Sequence, residues 1–312
     1  MEKKIINIAL LAGGVSTERE VSLAGAIGVE KALDSKKFTV KRYDPATDLA
    51  RLAADASKID FAFILLHGLY GEDGTMQGFL DLLKIPYQGS GVLGSAVAMD
   101  KHLAKELYKL NGLPVADWQI IEAGESVDVE RLLSRFGLPV VIKPVREGSS
   151  LGLTLATSEK ELENGISQAQ NHDSIVMIEK YIRGRELTVG VIGNDELTPL
   201  PVIEIIPGEE FTFFDYDAKY KAGASKEVCP AEITDELKNR VQEYGVAAHK
   251  VLRLRGYSRT DMIVAESGEV FLLETNTIPG MTPTSLLPQA AAEYGLEFPK
   301  FLEYLIDLGL EG

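Results

Sequence analysis

Arg259-Thr260-Asp261-Met262-Ile263-Val264-Ala265-Glu266-Ser267-Gly268-Glu269-Val270-Phe271-Leu272-Leu273-Glu274-Thr275-Asn276 reads as one antiparallel hairpin, with an apolar run on each side of the turn signal at residues 266–269. A register symmetric about Ser267 and Gly268 sets Asp261 opposite Glu274 and Arg259 opposite Asn276. Opposed residues share a face with Cβ atoms about 4.5 to 5.5 Å apart, and two carboxylates so placed repel unless a cation lies between them. Apolar neighbours on both faces put this end of the hairpin inside a domain, where an unpaired carboxylate is costly. Two carboxylates and one amide, all oxygen donors, favour Mg²⁺ or Mn²⁺ over zinc. The competing reading is that Arg259 alone neutralises both acids. Asn276-Thr277-Ile278-Pro279-Gly280, directly after the strand, has the character of a shaped site loop and favours the metal.

The chain has 312 residues, 45% of them hydrophobic, enough for two or three domains with real cores. A net charge of -15 argues against a nucleic-acid partner, whose phosphates demand Lys and Arg. The single cysteine, Cys229, has no internal disulfide partner, and with only four histidines a zinc site is not expected; the cytosol is the natural compartment. The apolar run that begins at Ile5 meets Gly13-Gly14 and then charge, so it reads as a buried first strand rather than a signal peptide. No apolar run approaches the ~20 residues of a membrane span.

Outward from the hairpin, the chain divides into three units. Residues 1–98 alternate apolar runs at 5–11, 39–43 and 61–66 with helical patterns at 19–33 and near Leu49, the order of a parallel α/β sheet. Two glycine-bearing loops, 12–16 and 67–74, fall where its strands end, which is where such sheets bind ligands. Residues 99–183 form a small α+β unit: a helix over 101–110 that stops at Asn111-Gly112, strands at 118–121, 140–143, 153–156 and 175–179, and a helix capped by Ser158 and Glu161. Residues 184–312 are antiparallel, with strands at 186–192 and 201–206, a long helix over 235–254, and the hairpin. Residues 207–230 lack periodicity and are longer than most connections, so Asp215, Tyr216, Asp217, Lys219 and Tyr220 are candidates for a lid, against a plain surface excursion.

Arg146-Glu147-Gly148-Ser149-Ser150-Leu151-Gly152 joins two strand-like runs, and Lys143 ends the first of them. Small residues let backbone N-H groups approach phosphate oxygens while a lysine supplies charge. A tight β-turn is the bland alternative. No Walker A run exists in the chain, and Gly89-Ser90-Gly91-Val92-Leu93-Gly94, although spaced like a dinucleotide fingerprint, follows no long strand and has no acidic residue about 20 positions on.

The lysine-flanked Gly/Ser loop, Glu179-Lys180-Tyr181-Ile182 and the acid-acid-Asn hairpin together resemble the ATP-grasp superfamily. Within it, residues 11–22, 67–78, 99–101, 146–152 and 274–285 resemble, in order, the signatures of D-alanine:D-alanine ligases. The resemblance implies an ATP-grasp fold of an N-terminal parallel α/β domain, a small central α+β domain and a C-terminal antiparallel-sheet domain. It also implies ATP and two Mg²⁺ (or Mn²⁺) as cofactors, two D-alanine substrates, and a cytoplasmic homodimer that makes a peptidoglycan precursor. Lys101, Lys143 and Ser150 would hold phosphates, residues 179–182 (Glu179, Lys180, Tyr181, Ile182) the adenine, Glu186 the ribose, and Asp261, Glu274 and Asn276 the metals. Glu18 would hold the first D-alanine's ammonium with His67 beside it, although Thr17 and Glu20 also have ordinary capping-box spacing. Arg259 and the Gly280 N-H would stabilise the oxyanion. Ser149 and Tyr220 would close the lid with Glu18. Ser285, with Leu286 next to it, and Lys219 would meet the second substrate's carboxylate and the transferring phosphate. Phenylalanine at the position of Tyr220 accompanies D-lactate use in related ligases, so tyrosine implies the dipeptide. The alternatives are another ATP-grasp carboxylate-amine ligase, including a D-lactate one, and a sensor without turnover.

Overall fold

The computed structural model describes residues 5–149, 151–208 and 225–311. β1 (Ile6–Leu11), α1 (Arg19–Ala32), β2 (Phe38–Tyr43), α2 (Pro45–Asp55) and β3 (Phe61–Ile64) build a parallel sheet ordered β2-β1-β3, followed by α3 (Thr75–Leu83) and α4 (Val92–Met99). Uninterrupted apolar strands suit a sheet covered on both faces. Ile8, Leu10, Phe61 and Phe63 enter one core, while Ala9, Leu11, Ala62 and Ile64 enter another with Leu52, Met76 and Leu80. Residues 89–94 are no dinucleotide loop: only an isolated bridge from Tyr87 to Ala62 precedes them, and a Cβ on Gly94 would lie 2.9 Å from the Leu254 side chain. The capping box suggested by Thr17 and Glu20 does not form. Glu18 is itself the N-cap residue of α1, without a side-chain cap bond.

α5 (Lys101–Leu110), whose first turn is capped by Asp100, leads into β4 (Trp118–Glu122), α6 (Val129–Phe136), β5 (Val140–Pro144), β6 (Thr154–Ala156), α7 (Glu159–Gln170) and β7 (Ile175–Lys180). These strands form an antiparallel sheet ordered β4-β7-β5-β6. Ser158 caps α7, as its spacing predicts.

The third sheet contains β8 (Gly184–Gly193), β9 (Thr198–Pro199), β10 (Ile203–Pro207), β11 (Ser225–Val228) and, after α8 (Asp235–Val251), β12 (Gly256–Ala265) and β13 (Val270–Asn276). Its order is β11-β10-β8-β12-β13, with β9 on β8, and every pairing is antiparallel. The 207–230 segment is therefore not irregular throughout, since Pro207 ends β10 and residues 225–228 pair back onto it. Asp215, Tyr216, Asp217, Lys219 and Tyr220 lie outside the described residues, as does Ser150. After α9 (Leu286–Glu293), α10 (Phe298–Glu311) returns to the first sheet, where Phe301, Leu302, Leu305 and Ile306 join the core of Ile8 and Phe61. No helix among the described residues is long and apolar enough to cross a membrane.

Candidate active site

At its inner end the hairpin pairs as counted: Arg259 with Asn276, Thr260 with Thr275, and Asp261 with Glu274. Symmetry about Ser267 and Gly268 fails beyond that point. The register shifts between Asp261 and Met262, so Met262 faces Leu272 rather than Leu273, and Leu273 is the extra residue of a β-bulge. The bulge sorts side chains between faces. Leu272 is fully buried in the core, while consecutive residues Leu273 and Glu274 both line the cleft above the sheet.

Four donors converge on the buried Asp261. Arg259 grips it with a fork, Nε to Oδ1 at 2.9 Å and Nη2 to Oδ2 at 2.7 Å. Thr188 Oγ1 donates to Oδ1 at 2.6 Å, and Asn276 Nδ2 to Oδ2 at 3.1 Å. Burial works against the charge on Arg259, but Asp261 and then Glu274 override it and hold the guanidinium above its ordinary pKa. Glu274 is met separately by Lys101 at 3.3 Å. Lys101 thus shares with Arg259 the compensation of the two acids. The donor set fits a hard divalent ion: Asp261 and Glu274 share a face, and Asn276 turns its Nδ2 to Asp261, which leaves its Oδ1 as an oxygen donor that could serve such an ion.

A cleft of about 970 Å³, open to solvent, lies between the second and third sheets. Lys101, Lys143, Glu179, Lys180, Tyr181, Ile182, Glu186, Asp261 and Glu274 all line it, together with apolar Val141, Leu153, Leu155, Ile263 and Leu273. Apolar walls with few polar groups suit a flat heterocycle at one end and charge at the other. Lys101 Nζ donates to the Glu147 carbonyl at 2.6 Å, which ties the start of α5 to the Gly/Ser loop. Arg146 is anchored to Asp173 through its backbone N-H and its guanidinium, so the loop has a fixed base. Glu179 sits between Lys143, at 2.7 Å, and Lys105. Burial alone would raise its pKa; the two lysines override that and keep it ionised. Sequence reasoning missed Lys105, although its place four residues after Lys101, among Ala104 and Tyr108 on the buried face of α5, marked it as a charge at a core position.

The second cluster joins loops distant in sequence. Ser149 Oγ donates to Glu18 Oε1, and Ser149 adopts a φ of +51°, a conformation that side chains disfavour and that is typical of strained site residues. A Cβ at Gly148 would lie 2.7 Å from Glu18 Oε2, so glycine is what lets the loop close on this carboxylate. His67 Nδ1 lies 3.0 Å from the Ile278 carbonyl, and Glu72 accepts from the N-H groups of Gly68, at 2.9 Å, and Ile278, at 3.1 Å. One residue of the 276–280 loop is therefore held by two side chains of the first unit. Two residues further on, Gly280 packs against Ser285, whose Oγ accepts from the Thr282 N-H at 3.1 Å ahead of Leu286 and α9.

Glu72 was not singled out from the sequence. Burial pushes its carboxyl up to about 8, and Glu18 adds repulsion. Between the ordinary carboxyl range and about 8 the native state keeps a proton that the unfolded chain has lost, so this group makes stability fall as pH rises through that window. Glu72→Gln removes the effect. Its melting temperature relative to wild type, measured without metal, should climb across the window, and a flat difference would disprove the enclosure of this carboxyl.

The model for the D-ala D-ala ligase C-terminus matches residues 107–307, and that for the N-terminus matches residues 41–90. The D-alanine--D-alanine ligase of Desulfotalea psychrophila is 62% identical over 307 residues, covering 98% of this chain and 95% of the relative. That of Syntrophobacter fumaroxidans is 55% identical, with 100% of both chains covered. Among solved structures, the Bacillus anthracis D-alanine--D-alanine ligase complexed with ATP superposes with a TM-score of 0.86 at 34% identity and 98% coverage of both chains. The VanG D-Ala:D-Ser ligase of Enterococcus faecalis gives a TM-score of 0.82 at 33% identity, covering 98% of this chain and 100% of its own. With an acid-acid-Asn hairpin, a lysine-lined cleft and the Glu18-Ser149 contact carried on three such sheets, the chain has the ATP-grasp architecture and belongs to the D-alanine--D-alanine ligase family.

Proposed function

We propose that the chain joins two D-alanine molecules into D-alanyl-D-alanine at the expense of ATP, for cell-wall synthesis, and that the residues described above divide the work. The γ-phosphoryl group passes to the carboxylate of the first D-alanine, giving an acyl phosphate and ADP. The amine of the second D-alanine attacks the acyl carbon, the C-N bond forms, phosphate leaves with the bonding pair of the C-O bond, and the proton lost from the nitrogen balances as hydrogen phosphate. Lys101 and Lys143 hold phosphate oxygens, residues 179–182 take the adenine, and Glu186 takes the ribose. Glu18 holds the first ammonium, Arg259 and the Gly280 N-H face the tetrahedral oxyanion, and Ser285 orients the second substrate. Asp261, Glu274 and Asn276 would hold divalent cations, which when bound neutralise phosphate charge.

The observation that carries this reading is Asp261 itself. It lines the nucleotide cleft and is gripped by Arg259, so the end of the ATP site and the oxyanion donor are one bonded unit. The test is ADP formation with D-alanine, D-serine or D-lactate as sole acceptor, followed by product identification. D-alanyl-D-alanine is expected, and a clear preference for either other acceptor would replace the substrate assignment. Cytoplasmic homodimers are expected, and sedimentation equilibrium reads the oligomeric state.

Acceptor choice is assigned to Tyr220. Tyr220→Phe should raise the D-lactate to D-alanine ratio of kcat/KM by about one or two decades, the range of one lost hydrogen bond with or without a stranded partner. An unchanged ratio at fixed pH would remove Tyr220 from acceptor choice.

A further inference from the structure

Lys105 has no exposed surface, a rare condition for a lysine. Its ammonium is bonded to Glu179 Oε1 and lies 5.6 Å from the centre of the Trp118 ring. The other oxygen of Glu179 holds Lys143, at 2.7 Å. Lys143 and Glu179 line the nucleotide cleft, and Lys105 stands behind them. One buried carboxylate therefore serves two ammonium groups, leaving the trio with a single net positive charge.

We propose that Lys105 is a positioning residue for nucleotide binding: it keeps Glu179 neutralised so that Lys143 can turn from Glu179 to a phosphate. With Lys143 as its sole partner, Glu179 would form a neutral pair, and an incoming phosphate would compete with a buried carboxylate for the same ammonium. Breaking such a pair strands a buried charge, which is strongly unfavourable. Lys105 removes that obstacle, because Glu179 stays paired when Lys143 leaves. The inference rests on the proposed placement of ATP phosphates at Lys143.

The test compares ATP and adenosine binding by calorimetry and competition, since adenosine fills the same cleft without phosphates. Lys105→Met keeps the aliphatic stem and leaves Glu179 paired with Lys143, so the fold survives; Lys105→Gln makes the same comparison should the methionine variant not fold. ATP should weaken about tenfold, the size of one charge-assisted hydrogen bond, while adenosine changes less than about twofold. The double variant Lys105→Met with Glu179→Gln, which has no carboxylate to detain Lys143, should recover the ratio of ATP to adenosine affinity, a ratio in which any loss of the adenine contact assigned to Glu179 cancels. Equal losses for both ligands would reduce Lys105 to packing and overturn the proposal, as would unchanged ATP binding or a double variant without recovery. Lys143→Ala tests the premise. If it too leaves ATP binding unchanged, the phosphate placement itself is wrong and the inference falls with it.

Discussion

Arg259→Ala is expected to lower the rate of dipeptide formation by about two to three orders of magnitude, the usual loss when an oxyanion donor is removed, while ATP affinity changes little. The oxyanion it is proposed to face develops only after phosphoryl transfer, so the loss belongs in kcat. The structure adds a second consequence. Arg259 is also the fork that closes on Asp261, so alanine removes a buried counterion and lowers stability too. Arg259→Lys separates the two effects: it retains the charge but offers one point where the site needs a planar fork. A folded lysine variant that remains slow supports the role. An alanine variant within tenfold of wild type in kcat would dismiss it.

Asp261→Asn should be the most destabilising single change in the cleft. The carboxylate accepts four hydrogen bonds, two from Arg259 and one each from Thr188 and Asn276. Asparagine presents an NH₂ group to two of those donors and leaves the guanidinium without its main counterion. Breaking a buried ion pair from one side typically costs about 3 to 5 kcal/mol. The shift in denaturant midpoint measures it, and a midpoint equal to wild type would show that Glu274 compensates Arg259 without Asp261. In folded protein, ADP formation should demand more Mg²⁺ and stay at least about a hundredfold slow, since one of the three proposed metal donors is blunted. Because Arg259 and Asp261 form one unit, the double variant should fall well short of the sum of the singles.

Much of the site was legible because hairpin geometry is local. A period of two and a recognisable turn were enough to oppose Asp261 to Glu274, and buried parallel strands announced themselves as continuous apolar runs. The bulge at Leu273 was not legible, since no residue type there demands it; it follows from the competing claims of Leu272 on the core and Glu274 on the cleft. Residues 225–228 hid for a different reason. They form an edge strand, and edge strands carry charge, here Lys226 and Glu227, instead of an apolar pattern. Glu72 was missed because its partner Ile278 lies in another unit of the fold, and Lys105 because its partner Glu179 lies 74 residues further along the same unit; tertiary packing alone brings each pair together.

The contact between Ser149 and Glu18 has a thermodynamic corollary. The loop over the proposed phosphate site and the side chain proposed for the first amino acid are bonded to one another, so filling either site changes what the other meets. Linkage makes that influence mutual and equal in size: whatever factor nucleotide applies to D-alanine affinity, D-alanine applies to nucleotide affinity. An inhibitor extended from the adenine end far enough to displace Ser149 would then change its own potency with the amino-acid concentration around it.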